Sequence, residues 1–140
     1  MQPTKKIIIM VIDHLIEGGP TFMSLIYLMW LGVIFMSIRL FLNFKKSQKS
    51  PDKLSRQNES ILFLGSFAFL FGVLAQVLGM FEAFGVIAEI GDISPALLAG
   101  GFKVSLLAPL YGFVLFLVSG IIWFVFKGLI KTRKKEKLVN

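Results

Sequence analysis

Apolar side chains occur in three long runs that short polar segments separate. The first run covers residues 21–44 and is interrupted only by Arg39 among charged residues. The second run, Ile61–Phe81, and the third, Val104–Phe126, contain no charged residue. A helix needs about 20 predominantly apolar residues to cross a bilayer, so each run is long enough to do so. The runs do not alternate as barrel strands would. The pattern predicts an all-α integral membrane protein with three transmembrane helices.

The residues that precede the first run predict a helix lying on the membrane surface. Apolar side chains between Ile7 and Ile16 recur at roughly helical spacing, and charged side chains lie off that stripe. Gly18-Gly19-Pro20 then lets the chain turn into the membrane. We therefore interpret residues 1–140 as one membrane domain with these parts: an amphipathic interfacial helix at 1–18, spans at 21–44, 61–84 and 96–127, a cytoplasmic loop at 45–60 and a basic cytoplasmic tail at 128–140.

The composition agrees with a membrane protein and argues against several other classes. Hydrophobic residues make up 56% of the chain and charged residues 16%, against about 45–50% and about 25% in typical globular domains. A soluble fold of this composition could not keep its apolar surface out of water. The chain is also too apolar for a disordered segment. Because it contains no Cys, we expect neither a disulfide scaffold nor a Cys-ligated metal site.

The net charge of +7 is distributed unevenly between the polar segments. The segment from Arg39 to Glu59 carries six basic and two acidic residues, and residues 127–140 carry six and one. Between Phe81 and Lys103 lie three acidic residues and no basic residue. Short basic loops stay in the cytoplasm, so the N-terminus is predicted outside and the C-terminus inside. The basic excess then serves orientation and contact with membrane lipids, and we expect no binding of nucleic acid.

Small residues are concentrated on one face of each of the last two spans. In the second span, Gly72 and Gly79 are seven residues apart and share a face with Gln76. In the third span, Ser105 and Gly112 lie on one face. Small residues let membrane helices approach closely, either within one subunit or between copies. The residues predicted to mediate helix packing are Gly72, Gly79, Gly101 and Gly112.

Three polar side chains lie in or beside the spans. Polar groups are energetically costly in a membrane, so each of the three is a candidate functional residue. Lys103 lies near the start of the third span and Glu82 near the end of the second, so an ion pair between them is predicted at the outer mouth. The alternative is that the Lys103 ammonium extends outward to the headgroups. Gln76 either forms a hydrogen bond between helices or faces a pore.

The last two spans resemble those of the MotA/TolQ/ExbB proton channel family. The run from Ala68 to Phe84 is similar to the family's second span, and the run from Ala96 to Leu115 is similar to its third. Glu17–Met23 resembles the entry into the first span of many ExbB-like members. The positions that match are Ala68, Leu70, Gly72, Leu74, Val77, Gly79 and Met80 in the second span, and Leu106, Leu107, Leu110, Tyr111 and Gly112 in the third.

The resemblance implies a subunit of an energised complex in a bacterial inner membrane. In the family, five copies form a ring around two helices of a single-span partner of the ExbD, TolR or MotB type. An aspartate of the partner carries the proton, and the ring converts ion flow into movement that energises transport or motility. Carried over to this chain, the residues implied to line the ion path are Gln76, Ser105, Pro109 and Tyr111.

This sequence departs from the family pattern at several positions. Gln76 and Pro109 stand where the family offers threonines to the pore, and Pro109 cannot donate a hydrogen bond. Phe69 stands at a usual proline, and Val104 stands at a frequent carboxylate. The large cytoplasmic insert between the first two spans is reduced to 45–60. A non-conducting scaffold or assembly protein of the same fold is therefore the alternative function.

An enzymatic function is disfavoured by the same residues. A small membrane enzyme of the four-helix type needs four spans and a catalytic Arg or Tyr near the cytoplasmic face, whereas three spans are found and Arg39 stands alone. The sequence contains no phosphate-binding glycine motif and no pattern of metal-ligating residues. We therefore expect no catalytic residues, no cofactor and no metal.

Overall fold

The computed structural model describes Ile9 and residues 20–46, 50–91 and 93–139. Within these residues the chain forms four helices and no strand. They are α1 (Pro20–Lys45), α2 (Pro51–Ile90), α3 (Pro95–Ser105) and α4 (Leu107–Val139). The predicted all-α class is confirmed. The predicted amphipathic helix over 1–18 lies outside the described residues, apart from Ile9.

Three helical segments are long and apolar enough to cross a membrane, as predicted. They are Thr21–Lys45, Pro51–Ile90 and Pro95–Glu136, and the last of these combines α3 with most of α4. Most of the large apolar side chains on these segments are exposed on the single chain. This agrees with a multi-pass membrane protein, because a bilayer covers such side chains.

The second helix begins earlier than the apolar run that it contains. Pro51 occupies its first turn, where a proline is favoured because its missing N–H would have no partner within the helix. The polar residues from Pro51 to Ser60, which the sequence predicts as part of a loop, form the first turns of α2. Leu54, Asn58 and Ile61 recur on one face of these turns and are buried. That face fixes the polar turns against the rest of the molecule.

A short turn with a defined start and end joins α2 to α3. Gly91 ends α2 with a positive φ of 90°, a backbone conformation that side chains with a Cβ rarely adopt. The Gly91 N–H donates to the Ile87 carbonyl over 2.9 Å. At the start of α3, the Ser94 Oγ accepts a hydrogen bond from the Leu97 N–H over 3.3 Å, and Pro95 follows in the first turn. Capping and proline together fix where the third span begins.

The third span is interrupted at Leu106, between α3 and α4. Pro109 has no N–H to donate to the carbonyl of Ser105, so one helical hydrogen bond is missing at this level. The bonds around it are retained, because Leu106 N–H donates to Phe102 O over 3.2 Å and Leu110 N–H donates to Leu106 O over 3.1 Å. The break therefore interrupts the helix locally without separating its two parts.

The helices α2 and α4 form the most extensive contact, and α1 packs against both. Two groups of buried side chains hold the three together. One lies towards the start of α1 and includes Met23, Ile26, Ala75 and Ala108. The other extends towards the opposite end of the bundle, and its members are Met29, Val33, Leu40, Leu54, Ile61, Ala68, Leu115 and Ile130.

The basic end of the molecule carries contacts between distant parts of the chain. Arg133 Nη1 donates to the carbonyl of Phe44, a residue in the last turn of α1, over 2.8 Å. The Arg133 guanidinium also lies 4.2 Å from the centroid of the Phe44 ring. Lys134 Nζ pairs with Asp52 Oδ1 over 2.9 Å. Helix α4 thus continues past its apolar run as a basic stem that is attached to α1 and α2.

Candidate functional site

The candidate site is the seam between α2 and α4, where the backbones of the two helices touch. A Cβ added to Gly72 would lie 2.6 Å from the Ala108 carbonyl oxygen. A Cβ added to Gly112 would lie 2.6 Å from the Ala68 carbonyl oxygen. Each glycine therefore packs directly against the backbone of the opposite helix. One such contact is made by a glycine of α2 and the other by a glycine of α4. Small residues at such positions are what close helix approach in membranes requires.

A third glycine extends the seam towards the basic end. An added Cβ at Gly65 would overlap the side chain of Ser119, which is fully buried. The Ser119 Oγ has no hydrogen-bond partner among the described residues. The seam is thus closed at Gly65, Gly72 and Gly112, and it leaves no space between the helices at these levels.

Gln76 lies on the seam face of α2, one turn beyond Gly72. Its side chain is only 9% exposed, and neither Nε2 nor Oε1 has a hydrogen-bond partner among the described residues. An amide that is buried without partners costs about 1–3 kcal/mol by mutational measures. The predicted hydrogen bond between helices is therefore not formed within this chain. The amide is therefore a buried polar group whose hydrogen-bond partner is not among the described residues.

Ser105 and Pro109 lie opposite this part of α2. The Cβ of Ser105 would be 3.9 Å from a Cβ added to Gly79, and the Cα of Pro109 would be 2.8 Å from one added to Gly72. Ser105 Oγ donates to the carbonyl of Phe102 over 2.9 Å, so its hydroxyl is bonded within its own turn. The structure thus brings the predicted residues Gln76, Gly79, Ser105 and Pro109 to one end of the seam.

Tyr111, the fourth residue implied to line an ion path, lies on a different flank of α4. Its ring contacts that of Tyr27 in α1, with centroids 5.8 Å apart and an angle of 70° between the planes. Trp30 of α1 lies beside it. Pro109 instead lines a groove on the surface that α1 does not cover. The four residues therefore do not form a common path within one chain.

The predicted ion pair between Glu82 and Lys103 is not formed, although both residues are described. Both side chains are exposed, and the only ion pair within 20–46, 50–91 and 93–139 is that of Lys134 with Asp52. The cleft between the two helices is lined by Gly79 and Ala83 on α2 and by Gly101 on α3, and neither charged side chain is part of this lining.

Gly101 lies in this cleft without the close contact that a packing residue makes. No atom lies within 4 Å of a Cβ added there, and the residue is exposed. In contrast to Gly72 and Gly112, it packs closely against no other helix among the described residues. Its packing role stays a prediction.

An aromatic cluster beside the seam was not predicted as such. The ring of Phe69 lies 5.6 Å from that of Phe113 and 6.0 Å from that of Phe116, centroid to centroid. Phe69 stands at the position of a usual family proline, so the departure from the family pattern inserts a large ring here. Phe113 and Phe116 follow Pro109 by four and seven residues, and this helical spacing was the sequence signal that could have indicated a shared face.

A second site that sequence reasoning missed lies towards the basic end. Asn58 is 2% exposed, and its Nδ2 donates to the Trp123 carbonyl over 2.9 Å. The spacing of Asn58 with Leu54 and Ile61 places it on the seam face of α2. The sequence signal that could have indicated this site was a polar side chain within the helical series of Leu54, Asn58 and Ile61.

Comparison with known proteins assigns the chain to a family. No curated protein and no solved structure matches it. A family model described as the MotA/TolQ/ExbB proton channel family matches residues 38–139, which include α2, α3 and α4 with the whole seam. The match covers well over half of the 140 residues. The chain is therefore a member of the MotA/TolQ/ExbB proton channel family.

Proposed function

We propose that this protein is a ring-forming subunit of an ion-driven motor complex in a bacterial inner membrane, with its N-terminus outside and its C-terminus in the cytoplasm. It would energise transport or movement through a single-span membrane partner of the ExbD, TolR or MotB type. Family membership supports a proton-channel type of function. The five-membered ring, the membrane and the partner are the parts that the proposal adds.

The observation that carries the proposal is the amide of Gln76. It is buried at the end of the α2–α4 seam, and its two polar atoms have no partner in the described chain. The apolar runs Ile61–Phe81 and Val104–Phe126 contain no Asp or Glu. A proton path along this chain therefore needs a titrating group from another protein. Rotation of the Gln76 side chain out of the seam would offer a donor and an acceptor to such a group.

The proposal requires no bond-making chemistry from the chain, so we propose that it is not an enzyme. Its contribution is a rigid pair of helices. Because the seam is closed by backbone contacts at Gly72 and Gly112, α2 and α4 would move as one body. A partner helix that changes protonation could then rotate or shift a ring of such pairs without unfolding them.

The scaffold alternative is favoured by one specific feature. Phe69, Phe113 and Phe116 form a cluster of rings on the surface next to Pro109. Rings at this position fill space that an ion path would use, and Pro109 offers no donor. A ring that assembles around a partner without conducting ions would accommodate both features.

The test is purification from native membranes in mild detergent, followed by native mass spectrometry and proton-flux measurements. The proposed motor subunit purifies as an oligomer with a single-span protein that carries an Asp in its membrane segment. Vesicles that contain both proteins then conduct protons. An oligomer with its partner but without flux identifies the scaffold. A monomer without a partner contradicts both functions.

Gln76→Leu tests the role of the amide in that assay. The substitution keeps a side chain of similar size and removes both polar atoms, so flux is expected to fall while assembly is retained. Val77→Leu is the matched control, because Val77 is the next residue along α2 and its side chain is 56% exposed. Equal flux in the two variants would show that the Gln76 amide has no part in conduction.

A further inference from the structure

We propose that the groove beside the α3–α4 break binds the acyl chain of an anionic phospholipid, whose phosphate pairs with Lys103. This groove, called the outer groove below, has a volume of about 1020 Å³. Six of its lining residues are Phe84, Phe102, Lys103, Leu106, Pro109 and Phe113. The inference rests on the membrane-spanning fold and does not depend on ion conduction.

The lining of the outer groove matches the two chemical parts of such a lipid. All its side chains are apolar except that of Lys103, and no acidic side chain belongs to it. The volume is at the upper end of the range of about 300–1,000 Å³ that small-molecule sites occupy. An apolar groove of this size accommodates an acyl chain. The single ammonium selects a negatively charged headgroup at one end.

Lys103 is available for such a headgroup. It is exposed, and it forms no ion pair or hydrogen bond with any residue of the described chain. The predicted pairing with Glu82 is not formed. A cation beside a hydrocarbon surface is costly unless it has an anionic partner. The phosphate of a lipid supplies that partner without a second protein.

The depth of Lys103 in the membrane agrees with the level of lipid phosphates. Lys127 lies 4.2 Å from the centroid of the Trp123 ring, and such Trp and Lys pairs are typical of the membrane interface. Ser105 lies beside Gly79, and the uncharged run of α2 ends at Phe81, two residues beyond Gly79. Lys103, about half a helical turn beyond Ser105, therefore lies at the outer edge of the hydrocarbon core, next to the headgroup layer.

The groove extends from this level into the hydrocarbon. From Lys103 to Phe113 the helix advances about 15 Å, which is half the thickness of the hydrocarbon core. The interruption at Leu106 leaves space along this path. A lipid of one leaflet with its phosphate at Lys103 would thus place its chain along the groove. Charge and depth together favour a phospholipid over a helix of another chain.

The test uses the full-length protein in phosphatidylcholine vesicles that contain a small fraction of phosphatidylglycerol with a photoreactive acyl chain. After irradiation, mass spectrometry locates the labelled peptides. Labelling is expected between Phe102 and Phe113. Unlabelled phosphatidylglycerol should compete, and inorganic phosphate should not, because the headgroup alone does not fill the groove. Equal labelling by photoreactive phosphatidylcholine would overturn the proposal, since it would show no selection for the anion.

Two variants separate the charged and the apolar halves of the site. Lys103→Gln should reduce labelling of the groove about fivefold, which is the factor that one lysine contributes near anionic lipids. Lys131→Gln, an exposed lysine of the basic stem, is the matched control and should leave groove labelling unchanged. Leu106→Trp should reduce labelling by filling the groove while Lys103 is retained. Unchanged labelling in both groove variants would contradict the site.

A second copy of the chain or a partner helix is the competing occupant. Leu110 is exposed on the same part of α4, so Leu110→Cys would form disulfide-linked dimers if two copies met there. Efficient cross-linking together with absent lipid labelling would overturn the lipid site. Lipid labelling without cross-linking supports it. Both outcomes are independent of whether the vesicles conduct protons, so failure of the lipid site and failure of the proposed function are distinguishable.

Discussion

Replacement of Gly112 by Ala should destabilise the helix bundle, because the added methyl group overpacks the seam between α2 and α4. The added Cβ would lie 2.6 Å from the Ala68 carbonyl oxygen. Carbon and oxygen atoms across helix interfaces approach to about 3.3 Å, so the helices would have to separate by roughly 0.7 Å. The obstacle is backbone and cannot rotate away. We expect the seam to lose contact on both sides of this position.

The magnitude follows from two opposing contributions. Overpacking of a filled interface costs about 1–3 kcal/mol. Alanine is favoured over glycine in a helix by about 0.8–1.0 kcal/mol. The net effect of Gly112→Ala is therefore a loss of up to about 2 kcal/mol in the free energy of unfolding.

Comparison with Gly120→Ala separates the overpacking cost of Gly112→Ala from the gain in helix propensity. Gly120 lies in the same helix, and no atom lies within 4 Å of a Cβ added there. This control is expected to gain the helix propensity without the overpacking. The difference between the two variants is then the overpacking cost alone, about 1–3 kcal/mol.

Unfolding is measured in mixed micelles with increasing denaturing detergent, followed by circular dichroism. Gly72→Ala is measured in parallel, because its added Cβ would meet the Ala108 carbonyl oxygen at the same 2.6 Å. Both seam variants should unfold at lower denaturant than Gly120→Ala. If all three shift together, helix propensity dominates and the backbone contact at the seam is not what stabilises the bundle.

Further predictions concern the basic end and the orientation of the chain. Asn58→Ala should lower the free energy of unfolding by about 0.6–1.7 kcal/mol, the range for hydrogen bonds between membrane helices, in the same assay. Arg133→Lys should lower the free energy of unfolding by about 0.5–1 kcal/mol, because the variant loses the contact of the guanidinium with an aromatic ring. Lys134→Gln should lower it by at most about 0.5 kcal/mol, and only at low salt, because the ion pair that it removes is exposed. In the chain without native Cys, Glu89→Cys should react with an impermeant maleimide in cells whose inner membrane is intact, and Lys53→Cys only after that membrane is permeabilised; the reverse pattern would refute the assigned orientation.

The sequence predicts the spans and the family because both depend on patterns along one helix. Long runs without charge locate the three membrane helices, and glycines seven residues apart indicate the seam face of α2. The start of α2 at Pro51 is indicated only by Ser50-Pro51-Asp52, which is typical of either a turn or a helix start. Its first turns are polar, and the face that buries Leu54 and Asn58 is recognised only once the partner helix is in place.

The ion pair of Glu82 with Lys103 failed for a different reason. Sequence spacing places both residues near one end of the bundle, and the structure agrees with that level. Pairing also depends on how each helix is rotated about its own axis, and the spacing of residues within one helix gives no information on the rotation of its neighbour.

The closed seam restricts where an ion path of the proposed complex can lie. Backbone contacts at Gly72 and Gly112 leave no room between α2 and α4, and α1 covers another side of the pair with Tyr27 against Tyr111. An ion therefore cannot pass through the interior of one chain. The remaining surface of the pair is the side that α1 leaves uncovered. In the proposed complex a conducting path would therefore form between the part of this surface that the outer groove does not occupy and another copy or the partner.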